Sequence, residues 1–155
     1  MNALLLIELK KFTERLTEGL SFGEANEKVS VHLGWLPAKE APKGPVPPVP
    51  VPESEFPYII IRALAGEDLD RNGTAQIKFL VGTKSKDSDG YLDIIHLFET
   101  IRLGVLRSGI IGQRFEIQRP LKWKLFEEQP YPEWIGEILT TWTMPAIIRE
   151  VDDFE

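Results

Sequence analysis

The chain has 155 residues, 43% of them apolar, which suits one domain with a real core. It has no cysteine, which excludes a disulfide framework, a thiolate metal site and a cysteine nucleophile, and fits a reducing compartment. A net charge of −6 and a pI near 5.1 argue against a duplex-binding surface, which needs a clustered basic face.

Residues 3–19 carry a helical pattern. Leu5, Leu9, Phe12, Leu16 and Leu20 recur three or four apart, with Lys10, Lys11, Glu14, Arg15 and Glu18 on the other side and Gly19 as a stop. The apolar run Ala3–Ile7 is too short to span a bilayer. With no basic leader and no small-residue cleavage site, it is not expected to be a signal peptide. Residues 29–35 alternate: Val29, Val31, Leu33 and Trp35 on one face, Ser30, His32 and Gly34 on the other, which predicts a half-buried strand.

Residues 37–57 hold eight of the twelve prolines. Proline fixes φ and removes an amide donor, so the run is neither helix nor inner strand. Its cheapest state is an extended polyproline II rod, which at about 3.1 Å per residue reaches roughly 60 Å. Two readings stand: a disordered surface loop, or an arm that lies on a neighbouring subunit through Val46, Val49, Val51 and Phe56.

Tyr58–Leu64 predicts a second strand, its three isoleucines implying burial on both faces. A polar loop, Gly66–Gly73, joins it to a third strand, Ala75–Val81, as an antiparallel pair. After a second polar loop, Ser88 or Asp89 is placed to cap a helix from Tyr91 to about Arg107. Ile94, Phe98, Ile101 and Val105 form its stripe, and Leu92, Leu97 and Leu103 broaden it into the central packing element. Ser108–Gly112 breaks the helix. Phe115, Ile117, Leu121, Trp123 and Leu125 share one parity in a strand that Pro120 makes bulged or an edge. Gln129–Pro132 turns into a final strand with Trp134, Ile138, Trp142 and Met144 on one face, completing a long hairpin. Trp123 and Trp142 are both expected in its core. Residues 150–155 are an acidic, frayed tail. One domain over 1–155 results: α+β, a mostly antiparallel sheet on two main helices, with an extended Pro-rich arm.

Little here points to chemistry. Asp68-Leu-Asp70-Arg-Asn72-Gly73 opens like an EF-hand loop, but calcium needs about six oxygens and a bidentate carboxylate at the twelfth position, which is Phe79. A turn in which Asn72-Gly73 supplies positive φ explains the residues better. Asp87, Asp89 and Asp93 suit the start of a helix. His32 and His96 have no metal-ligand spacing and are expected at surface or boundary positions. No Gly-x-Ser-x-Gly, Walker loop or dinucleotide fingerprint occurs. The expectation is a non-enzyme without metal or cofactor. A small enzyme using Asp68, Asp70 and Asp93 is the competing reading from another class.

The order and spacing of several segments resemble the tail terminator or tail-completion proteins of long-tailed bacteriophages. They are Pro57-Tyr-Ile-Ile-Ile-Arg62, Gly66-Glu-Asp68, Ile77-Lys-Phe-Leu-Val-Gly82-Thr and Asp89-Gly-Tyr-Leu-Asp93, then Arg119-Pro-Leu-Lys-Trp123, Gln129-Pro-Tyr-Pro132 with Trp134, and Trp142 with Pro145. The similarity spans Pro57 to Ile148; the long Pro-rich segment departs from the family's pattern. The resemblance implies a structural protein of a phage or prophage, assembled in the bacterial host cytoplasm and located in the virion tail. It implies a hexameric ring of copies of the chain that caps the tail tube and meets the head–tail connector. Asp68, Asp70 and Arg71 join the arm residues as expected subunit-interface positions. Neither membrane nor specific nucleic-acid binding is expected, although DNA would pass through the ring. Another neck or minor tail protein, or a non-phage adaptor that binds partners through its Pro-rich arm, are the alternatives.

Overall fold

The first helix, α1 (Asn2–Thr17), turns a row spaced by four residues toward the interior. Leu5, Leu9, Thr13 and Thr17 are buried, whereas Phe12, Leu16 and Leu20 of the expected stripe are only half-buried. Positions four apart stack on one face of a 3.6-residue helix, so two threonines share the apolar row. Thr17 becomes tolerable there because its Oγ1 donates to the Thr13 carbonyl at 2.9 Å. The computed structural model describes residues 2–22, 26–36 and 56–145. The Pro-rich run from 37 to 55, with Val46, Val49 and Val51, and the tail beyond 145 lie outside those residues.

A two-residue ladder, β1 (Ser21–Phe22) with β2 (Glu27–Lys28), precedes β3 (Ser30–Leu33). Val31 is buried and Leu33 half-buried, as the alternation implies, but Trp35 is 70% exposed. The strand ends at Leu33 and Gly34 turns away with φ +76°, so Trp35 drops out of the alternation. Arg62 stacks over its ring at 4.6 Å and donates from Nε to the Gly34 carbonyl at 2.8 Å.

Strands β4 (Tyr58–Asp68) and β5 (Asn72–Lys84) form a longer hairpin than the sequence implied. The polar segment Gly66–Gly73 is mostly paired strand, and only Leu69–Arg71 make the turn. The register shifts between Ala63 and Ala65, a bulge that re-aims the distal half of β4. The Leu69 N–H bonds to the Asn72 carbonyl at 2.7 Å, and neither Asn72 nor Gly73 has positive φ. The turn therefore closes without the left-handed residues expected there.

Helix α2 (Tyr91–Ser108) begins at Gly90 with no side-chain cap. Neither Ser88 nor Asp89 caps it, because backbone bonds from Gly90 to Asp87 and from Leu92 to Asp89 already wind the chain into the first turn. Ile94, Leu97, Phe98, Ile101 and Val105 are buried, while Leu92 and Leu103 face outward. Those two leucines lie three turns apart on the side of the helix away from the sheet. Gly109, at φ +69°, ends α2 with its N–H on the Val105 carbonyl.

Strands β6 (Ile110–Ile111), β7 (Phe115–Leu125) and β8 (Glu133–Pro145) complete a six-stranded sheet in the order β3-β4-β5-β8-β7-β6. Only β3 and β4 are parallel. β5 and β8 pair continuously from Asn72↔Pro145 to Lys84↔Glu133 and form the spine. β7 pairs with β8 on either side of a register shift between Gln118 and Lys122, a bulge, one of the two outcomes that Pro120 left open. Both helices lie on one face. α1 touches β3 and β4 near one end of the sheet and β6 at the other, so the sheet curls around the helices. Phe79, Ile138, Trp142 and Phe115 fill the core between the layers. On the opposite face a second cluster, Phe56, Tyr58 and Ile60 with Leu36 and Leu80, explains the burial of Tyr58–Ile61 on both sides. The architecture is α+β, with a mostly antiparallel sheet packed on two helices.

Candidate subunit interface

Two exposed surfaces of opposite charge stand out. The first is the distal hairpin. From Ala63 to Arg71 every residue is exposed, in contrast to buried Tyr58–Ile61. The tip presents Leu69, 53% exposed, and exposed Leu64 among the carboxylates of Glu67, Asp68 and Asp70, with Arg71 beside them. Asp68, Asp70 and Arg71, expected at a subunit interface, are all exposed in the single chain. Phe56 does not: its ring packs against Tyr58 at 5.1 Å and is buried within the second cluster, so it is a core residue of this chain. Val46, Val49 and Val51 lie outside the described residues.

The second surface is β7. Arg119, Lys122 and Lys124 are exposed along it, with Arg114 just before the strand and one acid, Glu116, near its start. β6 pairs only with Phe115 and Glu116, so the rest of β7 is an outer edge among the described residues. Pro120 and the lysines discourage strand addition there, which leaves side-chain contact as the natural use of the edge. Trp123, expected in the core, is 55% exposed. Its parity is as expected, since it pairs with Ile138 on the helix-facing side. Parity fixes the side of a strand, not what covers it, and Trp123 rests on Phe98 at 5.8 Å with much of its ring open. Trp142 is fully buried, and its Nε1 donates to Thr140 Oγ1 at 2.8 Å.

The outer face carries an ion pair, Lys78 to Glu137 at 3.0 Å, with both side chains largely shielded. This diagonal cross-strand pair ties β5 to β8 and was not visible in the sequence, because their adjacency was not.

Among the described residues, carboxylates and histidines are not gathered into one cluster. Asp68 pairs with Gly73 at one end of β5, whereas Asp93 sits in the first turn of α2, just beyond the other end at Lys84. The trio Asp68, Asp70 and Asp93 is therefore not brought together. Burial raises the Asp93 carboxyl above the ordinary aspartate value; His96 lowers it and Asp87 raises it further. His32 is half-buried with Nε2 3.2 Å from Ser30 Oγ, and exposed His96 meets Phe22 edge-on at 5.4 Å. Among the described residues no group of three or more His, Asp or Glu could hold a metal ion. None of the described helices is long and apolar enough to cross a membrane. An open groove of 530 Å³ beside the end of α1 is lined by Lys11, Glu14, Arg15 and Lys28 among others, a mixture of signs that favours no one ligand charge. No protein-family model and no curated protein matches the chain.

Proposed function

We propose that the chain is a ring-forming tail-completion protein of a long-tailed phage or prophage. The reading rests on the resemblance of Pro57–Ile148 to that family. The observation that supports it best is the presence of two unlike, complementary surfaces on one subunit. The acidic tip with Leu69 lies at the Asn72 end of β5, while Trp123, with Lys122 and Lys124 on either side of it, lies level with Phe79, two strands away. At about 3.3 Å per residue and 4.8 Å per strand, the surfaces are roughly 25 Å apart, too far to satisfy each other. Contact between different patches on successive copies is heterologous and closes into a ring when its rotation divides a full turn. At −6 per chain the ring is strongly acidic, which limits adhesion of DNA passing through it.

The test is light scattering and electron microscopy of the chain alone and with polymerising tube protein. Rings of six that shorten and cap the tubes are expected. Charge reversal at the tip (Glu67→Lys with Asp70→Lys) or on β7 (Lys122→Glu with Lys124→Glu) should each abolish rings, and mixing the two variants should restore association. A monomer that leaves tube length unchanged would refute the reading. A stable monomer whose Pro-rich run binds an unrelated protein would instead favour the adaptor, which the eight clustered prolines support.

A further inference from the structure

Three aromatic rings converge on one stretch of backbone, where β5 ends and the chain turns toward α2. Trp134 Nε1 donates to the Ser85 carbonyl at 3.0 Å, and the Tyr131 hydroxyl donates to the next carbonyl, that of Lys86, at 2.6 Å. Gly90 passes so close that a Cβ there would strike the Trp134 indole and Ser85, which brings Tyr91 up to the same indole. The Trp134 ring has Tyr91 at 6.3 Å and 55°, and Tyr131 at 6.2 Å and 89°. Tyr91 is 38% exposed and Tyr131 59%, with Trp134 half-buried. Gln129 locks the turn that carries Tyr131, accepting from the Ile135 N–H and donating to the Phe126 and Ile135 carbonyls. The rings are therefore held in place before any ligand arrives, which lowers the entropy cost of binding.

The charge around the rings is negative. The loop into α2 exposes Asp87 and Asp89 against Lys86, and the turn that carries Tyr131 exposes Glu127 and Glu128 with no basic residue. Lys84 stands opposite Glu133 in the β5–β8 register and offsets it. Aromatic faces attract cations, and carboxylates within a Debye length raise the local cation concentration. The two carbonyls beneath the rings are already engaged, so among the described residues the rings offer π faces rather than free hydrogen-bond acceptors. A cation without N–H donors loses no hydrogen bonds there, whereas a lysine-like ammonium or a guanidinium would leave water with its donors unmatched. We infer that Trp134, Tyr91 and Tyr131 form a binding site for a quaternary ammonium group. The inference does not rest on a role in phage tails.

The test is titration of the full-length chain with choline, a quaternary ammonium, and with dimethylbutanol, its uncharged carbon isostere. The readout is the indole N–H signal of Trp134 in NMR spectra, assigned with Trp134→Phe. Choline should move that signal in the millimolar range and bind at least tenfold more tightly than dimethylbutanol. Tyr91→Ala and Tyr131→Ala should each weaken choline binding about fivefold, or about 1 kcal/mol, the share of one cation–π contact. Leu92→Ala, an exposed neighbour on α2, should leave binding unchanged. Glu127→Gln with Glu128→Gln should weaken it at low salt and not at high salt, because the field is screened. Melting curves confirm that each variant is folded. Equal binding of dimethylbutanol would reduce the rings to an apolar patch and overturn the inference. Tighter binding of methylguanidinium, or a Trp134 signal that choline leaves in place, would overturn it as well, and these three comparisons need no variant. Failure of tube capping with choline binding intact would count against the tail reading alone.

Discussion

Two tryptophans on the same face of one hairpin should respond very differently to truncation. Trp142 is fully buried, with Ala75 and Ile117 as its cross-strand partners, and its indole N–H bonds to Thr140, whose hydroxyl in turn donates to the Ile77 carbonyl at 2.9 Å. Trp142→Ala empties the centre of the core and should cost about 3–5 kcal/mol. Trp123 is 55% exposed and keeps the Phe98 contact as its main described ring partner. Less than half of its surface is removed from water, so Trp123→Ala should cost roughly 1–2 kcal/mol, including the ring pair. For a domain of this size each kcal/mol moves the melting temperature by about 2–4 °C. The expected losses are thus about 6–20 °C for Trp142→Ala and about 2–8 °C for Trp123→Ala. Urea unfolding followed by circular dichroism, with equal m-values for both variants, measures the difference. Light scattering adds an independent readout: Trp123→Ala, although folded, should associate less. Equal destabilisation would show that Trp123 is packed as deeply as Trp142 and remove it from the proposed interface.

Gly82→Ala should destabilise by about 1–3 kcal/mol or more, because a Cβ there meets the Tyr58 ring across the β4–β5 pair; adding Tyr58→Ala should recover much of that increment in a double-mutant cycle. Asp93 makes stability depend on pH. Its folded-state pKa is raised, chiefly by burial, so the contribution is full below the unfolded value of 3.8 and is lost as pH rises through the folded value. Asp93→Asn should flatten that part of the stability–pH curve, and an unchanged curve would show that Asp93 is as solvated folded as unfolded. Calcium, magnesium, manganese and zinc at micromolar concentration should leave the melting temperature unchanged; a rise of several degrees would reveal a specific site by mass action.

Local pattern sufficed for the two helices and the long strands and for most of their sides; the short strands β1, β2 and β6 and the outward turn of Trp35 escaped it. The isoleucine run of β4, the alternation of β5, the stripe of α2 and the interruption at Pro120 all follow from local periodicity and proline geometry, and with them the α+β class. Asp68, Asp70 and Arg71 were legible as an exposed turn from their polarity. Tertiary structure decided everything that depends on coverage and adjacency. The β5–β8 spine joins strands separated by a helix and two further strands, and no local pattern encodes that pairing; the Lys78–Glu137 pair was hidden with it. Trp123 and Trp142 carry the same parity, yet only one lies where α2 and the neighbouring strands enclose it. The ring contacts of Trp134 with Tyr91 and Tyr131 join the start of α2 to a turn forty residues later. Hydrophobic alternation specifies which side of an element faces the core. How far the core extends along that side is fixed only when the second layer is laid over it.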